Sequence, residues 1–200
     1  MLFRSNDTAT TEIYTQRDTL SLHDALPIFG WFPSLLVDTA GVDPVQAGAL
    51  LALFAIWGFP VGLLIPVLAA RRGWALVLPF LGLAGYAGGF LGLLLTPAAA
   101  PVLWISLLGI GSLILPLTLA LINLRSRTHA GSVALSGFSQ GVGYALGAVG
   151  TFAFGLVHDL AGGWTAPLLF LLALTIPGIP AAIVVGRRRF VEDELLRRPR

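Results

Sequence analysis

Five long apolar runs, none containing a charged side chain, constrain the fold of this chain more than any other feature of its sequence. A membrane-spanning helix needs about 20 apolar residues to cross roughly 30 Å of hydrocarbon. In lipid every backbone polar group must be paired within the protein, and the runs lack the alternation of barrel strands. The sequence therefore predicts an all-α membrane protein. The five predicted spans are residues 47–70, 74–95, 101–124, 133–157 and 164–186.

The composition excludes several other classes of protein. With 56% hydrophobic and 11% charged residues, the chain is too apolar for a typical soluble domain. Its basic residues are all arginines scattered between apolar runs, and the net charge is only +2, so no nucleic-acid partner is expected. The absence of cysteine excludes disulfides, thiolate metal sites and thiol catalysis. No two histidines have metal-ligand spacing, and we expect neither a metal nor a cofactor.

The arginines predict the orientation of the spans. Three clusters follow the first, third and fifth runs, whereas the connections "TPAAA" and "HDLAGG" between them contain no base. Because cytoplasmic loops are enriched in basic residues, the three clusters, and with them the C-terminus, are predicted to be cytoplasmic. The clusters are Arg71 and Arg72; Arg125 and Arg127; and Arg187, Arg188, Arg189, Arg197, Arg198 and Arg200.

The N-terminal part of the chain does not fit this pattern. Residues 25–37 are apolar but too few to span alone. The preceding residues carry several charges, each costing about 2.5 to 3.5 kcal/mol at mid-bilayer, and they lack the features of a signal peptide. The tract 3–28 resembles translated sequencing-adapter read-through, so we expect residues 1–28 to be non-native and the chain to be a truncated fragment. The alternative is a genuine disordered cytoplasmic tail.

Two long segments resemble the major facilitator superfamily, in particular its cyanate permease and nitroimidazole transporter family. "GWFPSLLVDTAGVDPVQAGALLALFAIWGFPVGLLIPVLAARR" is similar to the seventh-to-eighth helix region, and "ALSGFSQGVGYALGAVGTFAFGLVHDLAGGWTAPLLFLLAL" to the eleventh-to-twelfth. The pattern GxxxDxxGxW appears as "GLVHDLAGGW", and the opening FxxWxPxxLxxxG is blurred to "GWFPSLLVDTAG". The loop "ARRGW" lacks the superfamily's acidic-plus-glycine motif, which puts a gating salt bridge there in doubt.

The resemblance covers residues 29–191 and implies one half of a twelve-helix bundle that works by alternating access. Residues 29–190 would form the C-terminal half, helices seven (partial) to twelve, and 191–200 a cytoplasmic tail. The implied partners are the lipid bilayer of a bacterial inner membrane, a small solute and a missing N-terminal transporter half. The solute is expected to be a compact anion such as cyanate. The alternatives are a non-catalytic subunit that completes a bundle with another chain, or an integral-membrane enzyme.

Polar residues at bilayer depth are the candidates for solute binding, because they are costly there. Ser136, Gln140 and Tyr144 recur at helical spacing with Gly147 and Thr151, which places them in one stripe of the fourth span. We expect the stripe to face a substrate cavity, with Gln140, Ser136 and Tyr144 gripping a small polar solute. The alternative is interhelical hydrogen bonding, worth about 0.6 kcal/mol on average.

Trp57 is the fourth candidate, since it lies near the middle of the first span beside Pro60 and could donate its indole N–H to a solute. Packing against a neighbouring helix is the alternative role. His158 and Asp159 are expected to have a loop or capping role, because sequence neighbours do not face each other on a helix. No acid or base lies inside the five spans, so any ion-coupling carboxylate or anion-binding base must lie elsewhere.

Overall fold

The computed structural model describes residues 31–71, 73–125 and 128–186, which are helical apart from short turns and contain no strand. This confirms the predicted all-α membrane fold. The predicted N-terminal tract 1–28 and tail 191–200 lie outside the described residues. The helices are α1 (31–40), α2 (Pro44–Ala70), α3 (Trp74–Leu95), α4 (Pro101–Gly111), α5 (Ile114–Arg125), α6 (His129–Ala161), α7 (Thr165–Leu174) and α8 (Gly178–Gly186).

Among the residues that the structure describes, five stretches are long and apolar enough to cross a membrane, and each overlaps one of the five predicted runs. Several ends differ from the predicted ones, two of them for a clear local reason. The first span begins at Pro44 rather than residue 47, because Asp43 caps the helix: its Oδ1 accepts a hydrogen bond from the Gln46 amide at 2.8 Å. The fourth run lies within α6, which continues to Ala161 and ends before Gly162. Gly162 has a φ of 66°, a left-handed conformation that glycine adopts without strain.

Two spans are each divided into two helices close to a proline. Ser112 and Leu113 form a turn between α4 and α5, and Pro116 has no N–H to donate to the Ser112 carbonyl. That carbonyl instead accepts from the Leu115 amide at 3.2 Å. A similar turn precedes α8, where Pro177 lies and the Gly178 amide donates to the Thr175 carbonyl at 3.1 Å. The helix axis can change direction at both points.

Helix α3 packs closely against α4 through a row of glycines. A Cβ at Gly85 would lie 2.7 Å from the Leu107 carbonyl oxygen, and one at Gly89 would lie 2.6 Å from Leu108 side-chain atoms. Because glycine carries only a hydrogen atom in place of a side chain, the two backbones can approach this closely, as is common where membrane helices associate. The buried core follows this contact, with Leu93, Ile105 and Leu108 among its most enclosed members.

Helix α6 is packed far less than the others. In the most apolar 18 residues of its span Ser136–Ala161, 6% of the residues are buried, compared with 44% in the corresponding part of Pro101–Leu124. A Cβ at Gly137, Gly141 or Gly147 would meet nothing within 4 Å among the described residues. These glycines therefore have no close neighbour among the described residues, and α6 presents a broad uncovered face.

Candidate functional site

A cavity of about 270 Å³ lies between α1, α3, α6 and α7. An apolar cavity of about 150 Å³ already admits a benzene ring, so this one is large enough for a small planar solute. Each of the four helices contributes side chains to its wall. The lining residues are Trp31, Phe32 and Leu35 from α1; Phe90 and Leu93 from α3; Leu146, Gly147, Gly150, Thr151 and Phe154 from α6; and Leu168, Leu171 and Leu174 from α7.

The wall of this cavity is almost entirely apolar. Thr151 supplies its one hydroxyl group, Trp31 contributes an indole, and no charged residue lines it. The Thr151 hydroxyl donates a hydrogen bond to the Gly147 carbonyl at 2.9 Å, which leaves its oxygen free to accept one. Gly147 and Gly150 leave room beside this hydroxyl, because nothing lies within 4 Å of where their Cβ atoms would be. The cavity thus suits an apolar, planar molecule with at most one or two hydrogen-bonding groups.

A second, more open cavity of about 420 Å³ adjoins the first. The two share Trp31 and Thr151 as lining residues, so these side chains form the boundary between them. Asp159 is the charged member of the second lining, and it is largely exposed. The remaining lining residues are Ala148, Phe152, Gly155 and Leu156.

Four rings from α1, the end of α6 and the start of α7 form an aromatic cluster: Trp31, Phe154, His158 and Trp164. The His158 ring lies in the last turn of α6, 4.1 Å from the Trp164 ring and 5.3 Å from the Trp31 ring, measured between centroids. Trp31 and Trp164 are 5.9 Å apart and meet edge to face. Phe154 lies 6.2 Å from Trp164. The turn at Gly162 returns the chain so that Trp164 reaches His158.

A hydrogen bond fixes this cluster to α1. The indole Nε1 of Trp164 donates to Asp38 Oδ2 at 2.9 Å, and Trp164 itself is buried. Trp31 and Phe154 belong both to the aromatic cluster and to the wall of the apolar cavity. The cluster therefore closes the cavity at the end where α6 meets α7.

The structure separates the site residues predicted on α6 into those that line a cavity and those that do not. Gly147 and Thr151 line the apolar cavity, whereas Ser136, Gln140 and Tyr144 line neither cavity. Gln140 Nε2 donates a hydrogen bond to Ser136 Oγ at 2.7 Å, so these two side chains are paired along the helix. Tyr144 is 69% exposed. These three side chains lie on or beside the uncovered face of α6.

Trp57 lies on α2 against α4 and also lines neither cavity. A Cβ at Gly109 would lie 2.6 Å from the Trp57 ring, which shows how closely the indole covers this glycine. Its Nε1 atom is buried and has no hydrogen-bond partner among residues 31–71, 73–125 and 128–186. An unpaired indole N–H at bilayer depth is a costly feature, and it remains a candidate donor to a solute.

Several residues of the site are not predicted by the sequence pattern. Trp31 and Phe154 are ordinary apolar residues of α1 and α6, and only their contact with Trp164 marks them. Of the two roles expected for His158, loop or cap, the structure excludes the loop position, because α6 continues through His158 and Asp159 to Ala161 and His158 lies in its last turn. His158 Nδ1 lies 3.4 Å from Asp159 Oδ1, although the two are sequence neighbours. The sequence signal for this part of the site was the segment "GLVHDLAGGW", which contains His158, Asp159 and Trp164.

The fold and the cavity define a multi-pass, all-α membrane protein with a small apolar chamber between four of its helices. The chain is similar to membrane transporters. It is 36% identical over 166 residues to an uncharacterized transporter of Bacillus subtilis, YycB, and 36% identical over 167 residues to the 2-nitroimidazole transporter of Escherichia coli. Each match covers 80% of this chain and 40% of the relative.

A third relative is the cyanate transport protein CynX of Escherichia coli, 28% identical over 76% of this chain and 39% of its own length. The chain thus spans about two fifths of the length of these curated relatives. No protein-family model matches the chain. No solved structure matches it either. The relatives are named as transporters, in agreement with the expectation that the protein is not an enzyme.

Proposed function

We propose that this chain forms one wall of the solute path in a secondary transporter of the major facilitator type, working by alternating access. The observation that carries the proposal is the apolar cavity between α1, α3, α6 and α7, in a chain similar to named transporters over 80% of its length. Small-molecule sites in helical membrane proteins commonly lie between helices in this way. We also propose that the protein lies in a bacterial inner membrane with its C-terminus in the cytoplasm.

The uncovered face of α6 supports a path shared with further helices. Gln140 and Ser136 lie paired there, Tyr144 is exposed, and the glycines beside them leave room for close approach. Polar side chains are rarely directed at lipid tails, so a second group of helices is the better partner for this face. The curated relatives are long enough to supply such helices, since the matched part is about two fifths of their length. Gln140, Ser136 and Tyr144 would then contact solute from one side of the path. Trp57, on α2 against α4, is a separate candidate donor to the solute.

A compact planar solute that carries no net charge fits the cavity best. The walls are apolar, and the neighbouring opening displays the carboxylate of Asp159 rather than a base. The named substrate of the Escherichia coli relative, 2-nitroimidazole, is compact and planar, and its polar groups would need hydrogen-bond partners beyond Thr151. A compact anion such as cyanate is the second candidate, favoured by the similarity to the cyanate transport protein. An anion would require a cationic partner from outside the two cavity linings.

A chimera tests the proposal. The segment of the Escherichia coli 2-nitroimidazole transporter that matches this chain is replaced by the corresponding residues of this chain, and uptake or efflux of labelled 2-nitroimidazole and cyanate is measured in cells. We expect transport of the planar solute, and its loss in the chimera carrying Gly150→Phe, which fills the cavity. Gly62→Phe is the matched control, since Gly62 is also unhindered but lies on α2, away from α6, and lines neither cavity. A chimera that reaches the membrane and moves neither solute contradicts the proposal.

A further inference from the structure

We infer that Thr151 selects among the solutes of the apolar cavity by favouring planar, uncharged molecules that carry an N–H or O–H donor. Its hydroxyl oxygen accepts a hydrogen bond from such a group, whereas a molecule that carries acceptors alone gains nothing from it. The inference rests on the proposed function, since it takes the cavity between α1, α3, α6 and α7 as the solute site. It adds the residue that distinguishes one solute from another.

The hydroxyl of Thr151 is held in one orientation. Its Oγ1 donates a hydrogen bond at 2.9 Å to the Gly147 carbonyl, one helical turn earlier. Threonine side chains inside helices commonly bond to the carbonyl four residues back. A solute acceptor that took this hydrogen would only replace one bond with another and leave the carbonyl with one bond fewer. Thr151 therefore offers the cavity an acceptor rather than a donor.

The oxygen of Thr151 is free to accept. In the part of the chain that the structure describes, no other group donates to it. A Cβ at Gly147 or Gly150 would meet nothing within 4 Å, so there is open space beside the hydroxyl at both positions. Thr151 lines the apolar cavity and also the more open cavity that adjoins it. A solute in either cavity can therefore contact this oxygen.

The apolar walls make this one acceptor selective. Apart from Thr151, the only polar side-chain group of the lining is the Trp31 indole, which is a donor. A solute N–H that leaves water for these walls therefore has Thr151 as its one side-chain acceptor, and a donor left unpaired there is costly. A compact anion carries acceptors and no donor, so Thr151 contributes nothing to its binding.

The test measures the binding of pyrrole and furan, two rings of nearly the same size of which only pyrrole has an N–H. Each competes with fluorobenzene for the full chain in lipid nanodiscs, followed by ¹⁹F NMR. We expect the ratio of pyrrole affinity to furan affinity to fall about two- to tenfold in Thr151→Val, as the loss of one typical hydrogen bond requires. Valine has the shape of threonine without the hydroxyl. Because the lipid is the same for every variant, partitioning of the two rings into it cancels when variants are compared.

Thr151→Ser and Thr118→Val are the controls. Serine keeps the hydroxyl, so Thr151→Ser should keep the preference for pyrrole. Thr118 on α5 makes the same kind of bond, to the Ile114 carbonyl at 2.8 Å, but lines neither cavity, so Thr118→Val should keep the wild-type ratio. An unchanged ratio in Thr151→Val overturns the inference, and so does an equal fall in Thr118→Val.

The wild-type protein provides a test that needs no variant to fold. The N–H proton of bound pyrrole should show a nuclear Overhauser effect to the Thr151 methyl group, and an N–H that contacts other side chains only overturns the inference. The outcomes also separate this inference from the proposed function. A transporting chimera with an unchanged ratio in Thr151→Val overturns the inference alone, whereas a wild-type chain that binds neither ring overturns both.

Discussion

Trp164 and Asp38, which are 126 residues apart in the chain, are joined by a hydrogen bond of 2.9 Å from the indole Nε1 to the carboxylate Oδ2. The bond links the start of α7 to the residues near the end of α1, at one end of the apolar cavity. Because Trp164 is buried and Asp38 is exposed, the bond lies at the boundary between the apolar core and the surroundings. Its loss should loosen the contact between α1 and α7.

We expect Asp38→Ala to destabilise the protein by about 0.5 to 1.5 kcal/mol, the net value of a typical intramolecular hydrogen bond. Asp38→Asn should cost less, since its amide oxygen still accepts from the indole. The measurement is unfolding in nanodiscs with a double-mutant cycle of Asp38→Ala and Trp164→Phe. A coupling energy indistinguishable from zero would show that the bond contributes nothing to stability.

Gly85→Ala should destabilise the contact between α3 and α4 by about 1 to 3 kcal/mol, the usual cost of overpacking. Its Cβ would lie 2.7 Å from the Leu107 carbonyl and 2.9 Å from the Gly111 amide nitrogen, so backbone atoms must move. Gly88→Ala is the matched control on the same helix. There the nearest atom is the Leu107 Cδ1 at 3.4 Å, the flexible end of a side chain. Equal stability of the two variants in unfolding experiments would be inconsistent with the described packing.

Gly150→Leu should weaken the binding of a small apolar probe at least about tenfold, since a tenfold loss requires only about 1.4 kcal/mol. A Cβ at Gly150 would meet nothing within 4 Å, so we expect a leucine there to be accommodated and to occupy part of the cavity that Gly150 lines. Binding of fluorobenzene can be followed by ¹⁹F NMR on the protein in nanodiscs. Gly141→Leu is the control and should bind the probe as the wild type does. Equal affinity in both variants would place the probe elsewhere.

Pro116→Ala should make the span formed by α4 and α5 more continuous. The new amide at position 116 can donate to the Ser112 carbonyl, which now bonds only to the Leu115 amide in a tight turn. We expect slower hydrogen exchange of the amides at 115 to 117 and stabilisation of about 1 kcal/mol or more, below the full cost of about 3 kcal/mol for an interior proline. Pro101→Ala is the control, because Pro101 is the first residue of α4 and displaces no helical bond. Unchanged exchange at these amides would mean that packing, and not the proline, sets the turn.

Reporter fusions should place the connections at residues 96–100 and 162–163 on the side of the membrane opposite to the arginine-containing connections near residues 72 and 126. The physical reason is the preference of basic loops for the cytoplasm. A periplasmic phosphatase reporter should be active at residues 96–100 and 162–163. A fluorescent protein should be active near residues 72 and 126. All four connections on one side would be incompatible with the five predicted spans.

Much of the candidate site could not be read from the sequence. The stripe on α6 was recognised from its spacing, and two of its members, Gly147 and Thr151, do line the apolar cavity. Gln140 and Ser136 are instead paired with each other, a contact that the spacing of four also allows. Trp57 was chosen as a polar group near mid-bilayer, but periodicity cannot tell which neighbouring helix an indole will meet. In the structure it meets Gly109.

The sequence by itself determined the class of fold, the number of long spans and their approximate ends, because the cost of placing charge or unpaired backbone in lipid acts on every residue locally. Tertiary structure decided where the cavity lies and which residues close it. Trp31, His158 and Trp164 come from three helices, and contact between them depends on the way those helices pack and turn at Gly162. An apolar residue has the same local pattern whether it faces lipid, core or cavity, so only the assembled helices distinguish the three.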